Sequence, residues 1–382
     1  MANTLTSLIP TLYEALDVVS RELTGYTNAV TRNSSAERAA LNESILVPVT
    51  QSQTASDNTP GVTAPNTGDQ TVGNVSMTIS KSKHVPIRWN GEDTKGMKNA
   101  GTYNAVLMNQ FSQGFRTLAN LIEVDCHATA YAGASRAYGT AGTAPFGTAS
   151  DLSDIAQVRK ILDDNGAPQT DLQLLLGSAA MANIRGKQNV LFKVNEAGTD
   201  QLLRQGIIGR LEGMDLHNSN AVTAMAKGTG ASYTTNTAGY AVGATAITLI
   251  TGTGTILAGD TVTFAGDANR YVVATALTAG VVTLAAPGLL VAIATAATAV
   301  TVGNAATSNV AFSKSSIQLV TRIPAMPDGG DSADDAITIV DPVSGLAFEI
   351  ALYRQFLQQV YHVRLAWGVQ NIKANHVAIL LG

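Results

Sequence analysis

Apolar residues recur at helical spacing in two stretches of the chain. In residues 4–24 they are Leu5, Leu8, Leu12, Leu16, Val19 and Leu23. In residues 101–138 they are Tyr103, Leu107, Phe111, Phe115, Leu118, Ile122 and Cys126. A one-sided apolar stripe at this period indicates an amphipathic helix. The pattern therefore predicts a terminal helix in the first stretch and a strut of roughly 57 Å in the second, at about 1.5 Å per residue.

Alternating apolar and polar positions mark two strands that flank a long polar segment. Strand character occurs at residues 44–49 and again at residues 75–88, while residues 51–74 are almost wholly small or polar. This pattern predicts a protruding hairpin. Because an isolated two-stranded hairpin is marginal in water, so long an arm should lie against another surface. On composition alone, a disordered surface loop is the alternative.

Residues 151–220 mix helix and strand signals, and strand signals return near the end of the chain. A helix is predicted at residues 153–164, ended by Asn165 and Gly166, and a helix capped by Ser178 follows a strand. The strand signals lie at residues 172–176, 207–216, 309–312, 317–320 and 337–367. Together they predict a mixed domain that is interrupted once and is completed by a terminal sheet.

The interruption stands out by its lack of charge. Between residues 221 and 310 the charged residues are Lys227, Asp260, Asp267 and Arg270. Short alternating runs at about ten-residue spacing predict a compact all-β barrel or sandwich. Residues 281–302 approach the length of a membrane-spanning helix, but Pro287 and Gly288 interrupt them and Thr is a poor driver of insertion, so strands are favoured.

Composition narrows the class of protein. Charged residues make up 14% of the chain, hydrophobic residues 45%, and the net charge is −4. The charged fraction of an ordinary soluble domain is about 25%. These values argue against global disorder, a generally basic nucleic-acid binder and a polybasic membrane-surface protein. A single cysteine fits a reducing cytoplasm, and because no secretory signal pattern is visible we expect the protein to stay where it is made.

Local motifs for enzymatic chemistry are missing from the sequence. The sequence contains no phosphate-binding loop, complete dinucleotide loop, nucleophile elbow, zinc-protease helix or pair of CxxC motifs. The five histidines include no pair at zinc-ligand spacing, and Cys126 beside His127 indicates packing. We therefore predict a protein that is not an enzyme and has no catalytic, cofactor or metal site. A site assembled from distant residues is the alternative that motifs do not address.

Two groups of charged residues are candidates for contacts with other molecules. Lys81, Lys83 and Arg88 belong to the one basic run, and on a strand Lys81 and Lys83 share one face, which could meet phosphate, an acidic neighbouring subunit or only solvent. Asp267 and Arg270 flank a predicted turn. Across a two-fold axis each Asp267 could meet the Arg270 of a second copy, and ordinary turn chemistry is the alternative.

Taken in order, these parts resemble the major capsid (coat) protein of tailed double-stranded DNA bacteriophages, in particular the short-tailed-phage branch with an inserted β-barrel domain. The resemblance covers nearly the whole chain and rests on the order and spacing of the stretches that carry it. Those stretches are residues 45–49, 206–216, 259–266, 271–273, 309–312, 367–369 and 376–382.

The resemblance implies an α+β fold of the Hong Kong 97 type. Its parts would be an N-terminal arm at residues 1–44, an extended loop and the start of the peripheral domain at 45–100, a spine helix at 101–150, the first part of an axial domain at 151–220, an inserted all-β domain at 221–307, and the axial completion and peripheral sheet at 308–382. Family members bridge capsomers through a loop of the insert, for which Asp267 and Arg270 are candidates. An extended-loop lysine is crosslinked elsewhere in the wider fold, but this branch is not typified by it and no crosslink is predicted at Lys81 or Lys83.

The implied function is assembly into pentamers and hexamers of an icosahedral shell that encloses packaged double-stranded DNA. The implied location is the virion capsid, assembled in the host bacterial cytoplasm. Implied partners are further copies of the chain, a scaffolding protein and a portal, with a decoration protein as a further candidate, no membrane and no cofactor. The net charge implies weak, non-specific contact with DNA. The main alternative is a secreted β-modular adhesin, surface-layer protein or phage tail component, and a hydrolase with a β accessory domain comes third.

Overall fold

The computed structural model describes residues 9–20, 25–49, 55–63, 73–99, 101, 103–188, 209–341 and 344–382. Parts of three predicted elements lie outside these residues: 4–8 and 21–24 of the terminal helix, 51–54 and 64–72 of the polar segment, and Ile207 and Ile208. Every structural statement below concerns the described residues.

The helices are α1 (Ile9–Ser20), α2 (Gly25–Ala29), α3 (Gly91–Asn99), α4 (Tyr103–Ala132), α5 (Ser153–Asp164) and α6 (Ser178–Lys187). Four of these helices lie where the sequence predicts them, whereas α2 and α3 were not predicted. The apolar stripe of α4 is buried from Leu107 to Cys126, as predicted. The predicted end of the strut at residue 138 is wrong, because Gly133 follows the helix and residues 136–139 form a strand. The 30 residues of α4 span about 45 Å.

Strands fill most of the remaining chain. In chain order they are β1 (Thr31–Ala39), β2 (Ser44–Val49), β3 (Gly73–Thr78), β4 (Lys81–Asn90), β5 (Arg136–Gly139), β6 (Leu172–Leu176), β7 (Arg210–Leu211), β8 (Met214–Asn218), β9 (Ala231–Thr235), β10 (Ala246–Thr253), β11 (Thr261–Phe264), β12 (Arg270–Thr278), β13 (Val281–Leu284), β14 (Ala299–Val302), β15 (Ser308–Ser313), β16 (Ile317–Pro324), β17 (Asp335–Val340), β18 (Ala347–Gln355), β19 (Gln358–Asn371) and β20 (Val377–Leu381).

The strands differ from the predictions in two places. The single strand expected at residues 207–216 is, in its described part, the antiparallel pair β7 and β8, because Glu212 and Gly213 adopt left-handed backbone conformations and turn the chain. Strand β1 was not predicted. It pairs in parallel with β16, and its mostly polar, exposed residues carry no period-two signal.

The first large sheet packs against the long helix. It has six strands in the order β1-β16-β19-β18-β17, with β4 paired to β19 along residues 358–367. Helix α4 lies on β19 and β4, and α1 and α2 lie on α4. The shared core includes Phe111, Phe115, Phe348 and Trp367, all with almost no exposed side-chain surface. The arm, the long helix and the sheet thus form one packed unit.

The second sheet joins a mixed domain to a closed barrel. Strands β5, β20, β15, β6, β8 and β7 form one part, flanked by α5, and β5 pairs with β12 of the other part. In that other part β9, β10, β13, β12, β11 and β14 pair in sequence, and β14 pairs with β9 again. The α+β class is confirmed, and six strands close into a barrel with its own core. The domain boundaries stay a prediction.

Strands β2 and β3 form a separate two-stranded sheet, as the polar-tipped hairpin predicts. One face of the hairpin packs on the subunit: Met77 and Ile79 are buried with Val320 and Ala366, and Ile45 and Val47 lie partly buried against the same cluster. Gly368 of β19 allows this approach, since a Cβ atom there would lie 2.1 Å from the carbonyl oxygen of Thr78. The base of the hairpin is therefore held by a contact that a larger residue would block.

We expect the Gly368→Ala variant to be less stable than the wild type by about 2 kcal/mol, because an overpacked methyl group must displace backbone. Urea unfolding measures the difference. Gly96→Ala in α3 is the matched control, since no atom of the described residues lies within 4 Å of its Cβ position and Ala is favoured in a helix. Equal stability of both variants would contradict the steric role of Gly368.

Candidate functional site

A buried carboxylate joins three distant parts of the chain. Glu123 of α4 is 3% exposed. Its oxygens accept hydrogen bonds from the backbone N–H groups of Tyr26 (2.9 Å) and Thr27 (2.7 Å), and from the hydroxyls of Thr27 (2.6 Å) and Ser219 (2.8 Å). The arm helix α2, the long helix α4 and the segment that leaves β8 toward the barrel therefore meet at one residue. We call these residues, with His127, the Glu123 cluster.

Close backbone packing explains why the arm sits here. A Cβ atom at Gly25 would lie 2.7 Å from the carbonyl oxygen of Asn218, so this position needs a residue without a side chain. The next residue, Tyr26, is fully buried and stacks on Phe312 with a ring separation of 6.3 Å. Its hydroxyl lies 2.7 Å from Nδ1 of His127. The arm is thus docked by one glycine, one aromatic ring and one carboxylate.

Burial fixes the protonation states in this cluster. His127 is 2% exposed, and desolvation lowers its pKa to about 4. Burial likewise raises the pKa of Tyr26 well above its usual value. At neutral pH both groups are therefore uncharged, and they share one hydrogen bond. The Nε2 atom of His127 has no hydrogen-bond partner among the described residues.

Cys126 has the packing role that the sequence predicts. Its side chain is fully buried, and burial raises the pKa of the thiol, with Glu123 and Asp125 adding to the shift. Because the thiolate is the reactive form, this cysteine is not an activated nucleophile. In the part of the chain described, no group of three or more His, Cys, Asp or Glu side chains is arranged to hold a metal ion.

The basic run lies on β4 and is divided between two environments. The Nζ atom of Lys81 is 2.6 Å from Oδ1 of Asp125, and the indole of Trp367 donates to the other oxygen at 2.8 Å. Lys81 is thus bound to its own long helix. Lys83 and Arg88 are exposed, on opposite faces of the strand because they are five residues apart. Their contacts with other molecules stay a prediction.

The charged turn of the barrel is tied to its own subunit. Asp267 accepts hydrogen bonds from the backbone (2.9 Å) and side-chain (2.7 Å) nitrogens of Asn269 and from the hydroxyl of Tyr271 (2.5 Å). Arg270 begins β12 and pairs with Ala137 of β5. Both residues are half-buried beside the junction of barrel and mixed domain. The two-fold pairing of Asp267 with Arg270 stays a prediction.

A second buried charge, which the sequence did not reveal, holds that junction. Arg136 is almost fully buried in β5, and its guanidinium donates to Oδ1 of Asn165 at 3.2 Å and to the carbonyl oxygen of Ile161 at 3.4 Å. It also reaches Oδ1 of Asn269 at 3.5 Å and a carboxylate oxygen of Asp164 at the same distance. The end of α5 and the barrel turn are therefore linked through one side chain.

Residues 281–302, which approach the length of a membrane span, hold strands β13 and β14. Among the described helices, none combines the length and the apolar character that crossing a membrane requires.

Comparisons with known proteins give structural similarity without sequence similarity. No protein-family model matches the chain, and no curated protein matches it. A solved structure from Mycobacterium phage Che8 is 13% identical, with 93% of this chain and 90% of that chain covered and a TM-score of 0.45. The capsid structure of the cyanophage P-SCSP1u is 11% identical, with coverage of 93% and 87% and a TM-score of 0.47. The mature capsid of bacteriophage PhiM1 is 11% identical, with coverage of 93% and 86% and a TM-score of 0.45.

We expect Glu123→Gln to lower the free energy of unfolding by about 2–4 kcal/mol, because the amide keeps the shape but loses the charge that four donors face. Urea unfolding of the isolated subunit measures this. Glu14→Gln on the exposed face of α1 removes the same charge from the arm and should change stability by less than about 0.5 kcal/mol. A loss at Glu123 no larger than the loss at Glu14 would contradict the role of the cluster.

Because of His127, the free energy of unfolding should also decrease when the pH is lowered. The folded pKa of about 4 lies below the ordinary value of 6.5, so the unfolded chain binds more protons between these values. The contribution is therefore complete above pH 6.5 and is lost as pH falls toward 4, and it amounts to roughly 2 kcal/mol between pH 7 and pH 5. His127→Asn should reduce the loss over that range by this amount in urea unfolding. His84→Asn, at an exposed position, is the control, and an unchanged pH dependence in His127→Asn would refute the assignment.

Proposed function

We propose that this chain is the major capsid protein of a tailed bacteriophage and has a structural, non-catalytic role. Copies of it assemble into pentamers and hexamers of the Hong Kong 97 type, which tile an icosahedral shell around packaged double-stranded DNA. Assembly takes place in the host cytoplasm with a scaffolding protein and a portal. The resemblance of the sequence to coat proteins of the short-tailed branch supports this proposal.

The observation that carries the proposal is the hairpin of β2 and β3. It is a two-stranded sheet, hydrogen-bonded to none of the other described strands, and it exposes apolar side chains: Leu46 is 62% exposed. A two-stranded hairpin is marginal in water without a surface to cover it. The subunit core covers the face that carries Met77 and Ile79 but leaves Leu46 exposed. A neighbouring copy of the chain supplies such a surface in a shell.

A prefolded subunit suits this role. The Glu123 cluster holds the arm to the long helix, and Arg136 holds the barrel to the mixed domain. Contacts between different patches of identical subunits close into rings. If each contact contributes only about 4 kcal/mol, a millimolar affinity, several contacts per subunit still hold a shell and allow misplaced subunits to dissociate.

The charged candidates fit this proposal to different degrees. Lys83 and Arg88 are exposed and available for a neighbouring subunit. Asp267 and Arg270 lie on the barrel, where the family resemblance implies a bridge between capsomers. The net charge of −4 suggests that the inner surface confines DNA more than it binds it.

Electron microscopy of the chain co-expressed with a candidate scaffolding protein tests the proposal. We expect shells or capsomer rings from the wild type. Leu46→Asp should reduce shell yield at least tenfold with little change in subunit stability, because a charge replaces an apolar contact on the hairpin.

Val242→Asp is the matched control, since Val242 of the barrel is also 62% exposed and lies outside the hairpin. Strictly monomeric wild-type protein under all assembly conditions would refute the capsid function. Shells of Leu46→Asp at wild-type yield would refute the role of the hairpin alone.

A further inference from the structure

The turn between β18 and β19 exposes two large apolar side chains. Gln355 pairs with Gln358, so the turn consists of Phe356 and Leu357. Phe356 is 89% exposed and Leu357 is 74% exposed. Two-residue hairpin turns favour Asn, Asp and Gly, and large apolar residues at a rigid tip are typical of interaction anchors. We call this pair the apolar tip.

The backbone of the tip is held in an unfavourable conformation. Leu357 has a φ of 54°, in the left-handed region that favours glycine. Its carbonyl oxygen accepts a hydrogen bond from the N–H of Gly91 at 3.0 Å, and the side chain of Gln358 donates to that of Gln355 at 2.7 Å. The tip is therefore fixed in place rather than loose. No packing within the subunit accounts for the apolar side chains, because both are exposed.

A groove with partly apolar walls, which suits an apolar tip, lies between β4 and α4 of the same chain. Its volume is about 460 Å³. The β4 wall is made by Val85, Pro86, Ile87 and Arg88, and the α4 wall includes Val106 and Gln113. This volume is sufficient for an aromatic and an aliphatic side chain, and Val85, Ile87 and Val106 make its walls partly apolar. The apolar tip of the same subunit does not fill this groove, since Phe356 is exposed.

Charges near the two features have opposite sign. Gly91, which is bound to the tip, begins α3, and the acidic residues Glu92 and Asp93 occupy the first turn of that helix. Arg88 lines the groove and is exposed. Glu92 and Asp93 beside the tip and Arg88 beside the groove are complementary in charge, while the same helix also carries Lys95 and Lys98.

We propose that the apolar tip of one copy of this chain inserts into the groove between β4 and α4 of a second copy, with Arg88 facing Glu92 or Asp93. This inference rests on the proposed function and names one contact of the assembly. Because tip and groove are different patches, the contact is heterologous, so each subunit can give one tip and receive another. It assigns Arg88 a specific place in an interface and adds Phe356 and Leu357 as anchors.

Disulfide crosslinking between two variants that each carry one introduced cysteine tests the contact. Phe356→Cys chains are mixed with Asn109→Cys or Gln113→Cys chains, both at exposed groove positions one helical turn apart, then assembled and oxidised in air. The native Cys126 is fully buried and should not react. We expect a disulfide dimer in at least one groove mixture at five or more times the yield of a mixture with Val242→Cys, an exposed barrel position.

The charges are tested in the same assembly assay. Arg88→Glu should reduce shell yield about tenfold, and Glu92→Arg together with Asp93→Arg in the same chain should restore most of it. Dimers that form from Phe356→Cys alone, as readily as in the groove mixtures, would overturn the inference in favour of tip-to-tip contact. Shells without groove crosslinks would overturn the inference and leave the capsid function standing. Failure of the wild type to assemble would overturn both.

Discussion

The buried carboxylate of Glu123 is the interaction on which the shape of the subunit depends. Removing a charge from water is costly unless hydrogen bonds replace the lost hydration, and here two backbone N–H groups and two hydroxyls do so. The donors come from α2 and from the segment after β8, which are nearly 200 residues apart in the chain. The orientation of the arm and the exit path of the barrel are thus set by the same side chain of α4.

This arrangement separates two kinds of surface on one molecule. The core around α4 is complete within the subunit, as are the cores of the mixed domain and the barrel. The hairpin of β2 and β3 and the turn between β18 and β19 are not, because Leu46, Phe356 and Leu357 remain exposed. A packed core with exposed apolar side chains on its projections is suited to association with further copies. Little ordering of the core is required when two subunits meet.

Much of this fold could be predicted from periodicity. The buried stripe of α4, the buried strand β6 at residues 172–176 and the uncharged β-segment all follow from local patterns. The low charge of that segment has a physical cause in the structure, because a closed barrel fills its interior with Val262, Phe264, Val282 and similar residues while threonines on the outside pair with each other.

The parts that could not be predicted depend on long-range contacts. Glu123 and Arg136 resemble ordinary surface charges in sequence, and their partners are distant or carry no periodic signal. The end of α4 at Ala132 depends on the pairing of β5 with β20 and β12, and β1 exists because β16 offers it an edge. Lys81 likewise appeared to be a free basic residue, and only the proximity of Asp125 shows that it serves its own subunit.

Amide hydrogen exchange on dissociated subunits and on assembled particles is the most direct test. It shows whether the core is already folded in the free subunit and whether neighbouring subunits cover the β2–β3 hairpin. The account predicts that amides of β2 and β3 exchange quickly in the free subunit and at least tenfold more slowly in particles. It predicts slow exchange in both states for the amides of Tyr26 and Thr27, which donate to Glu123. Equally fast exchange of the hairpin in free and assembled protein, or fast exchange of Tyr26 and Thr27 in the free subunit, would contradict it.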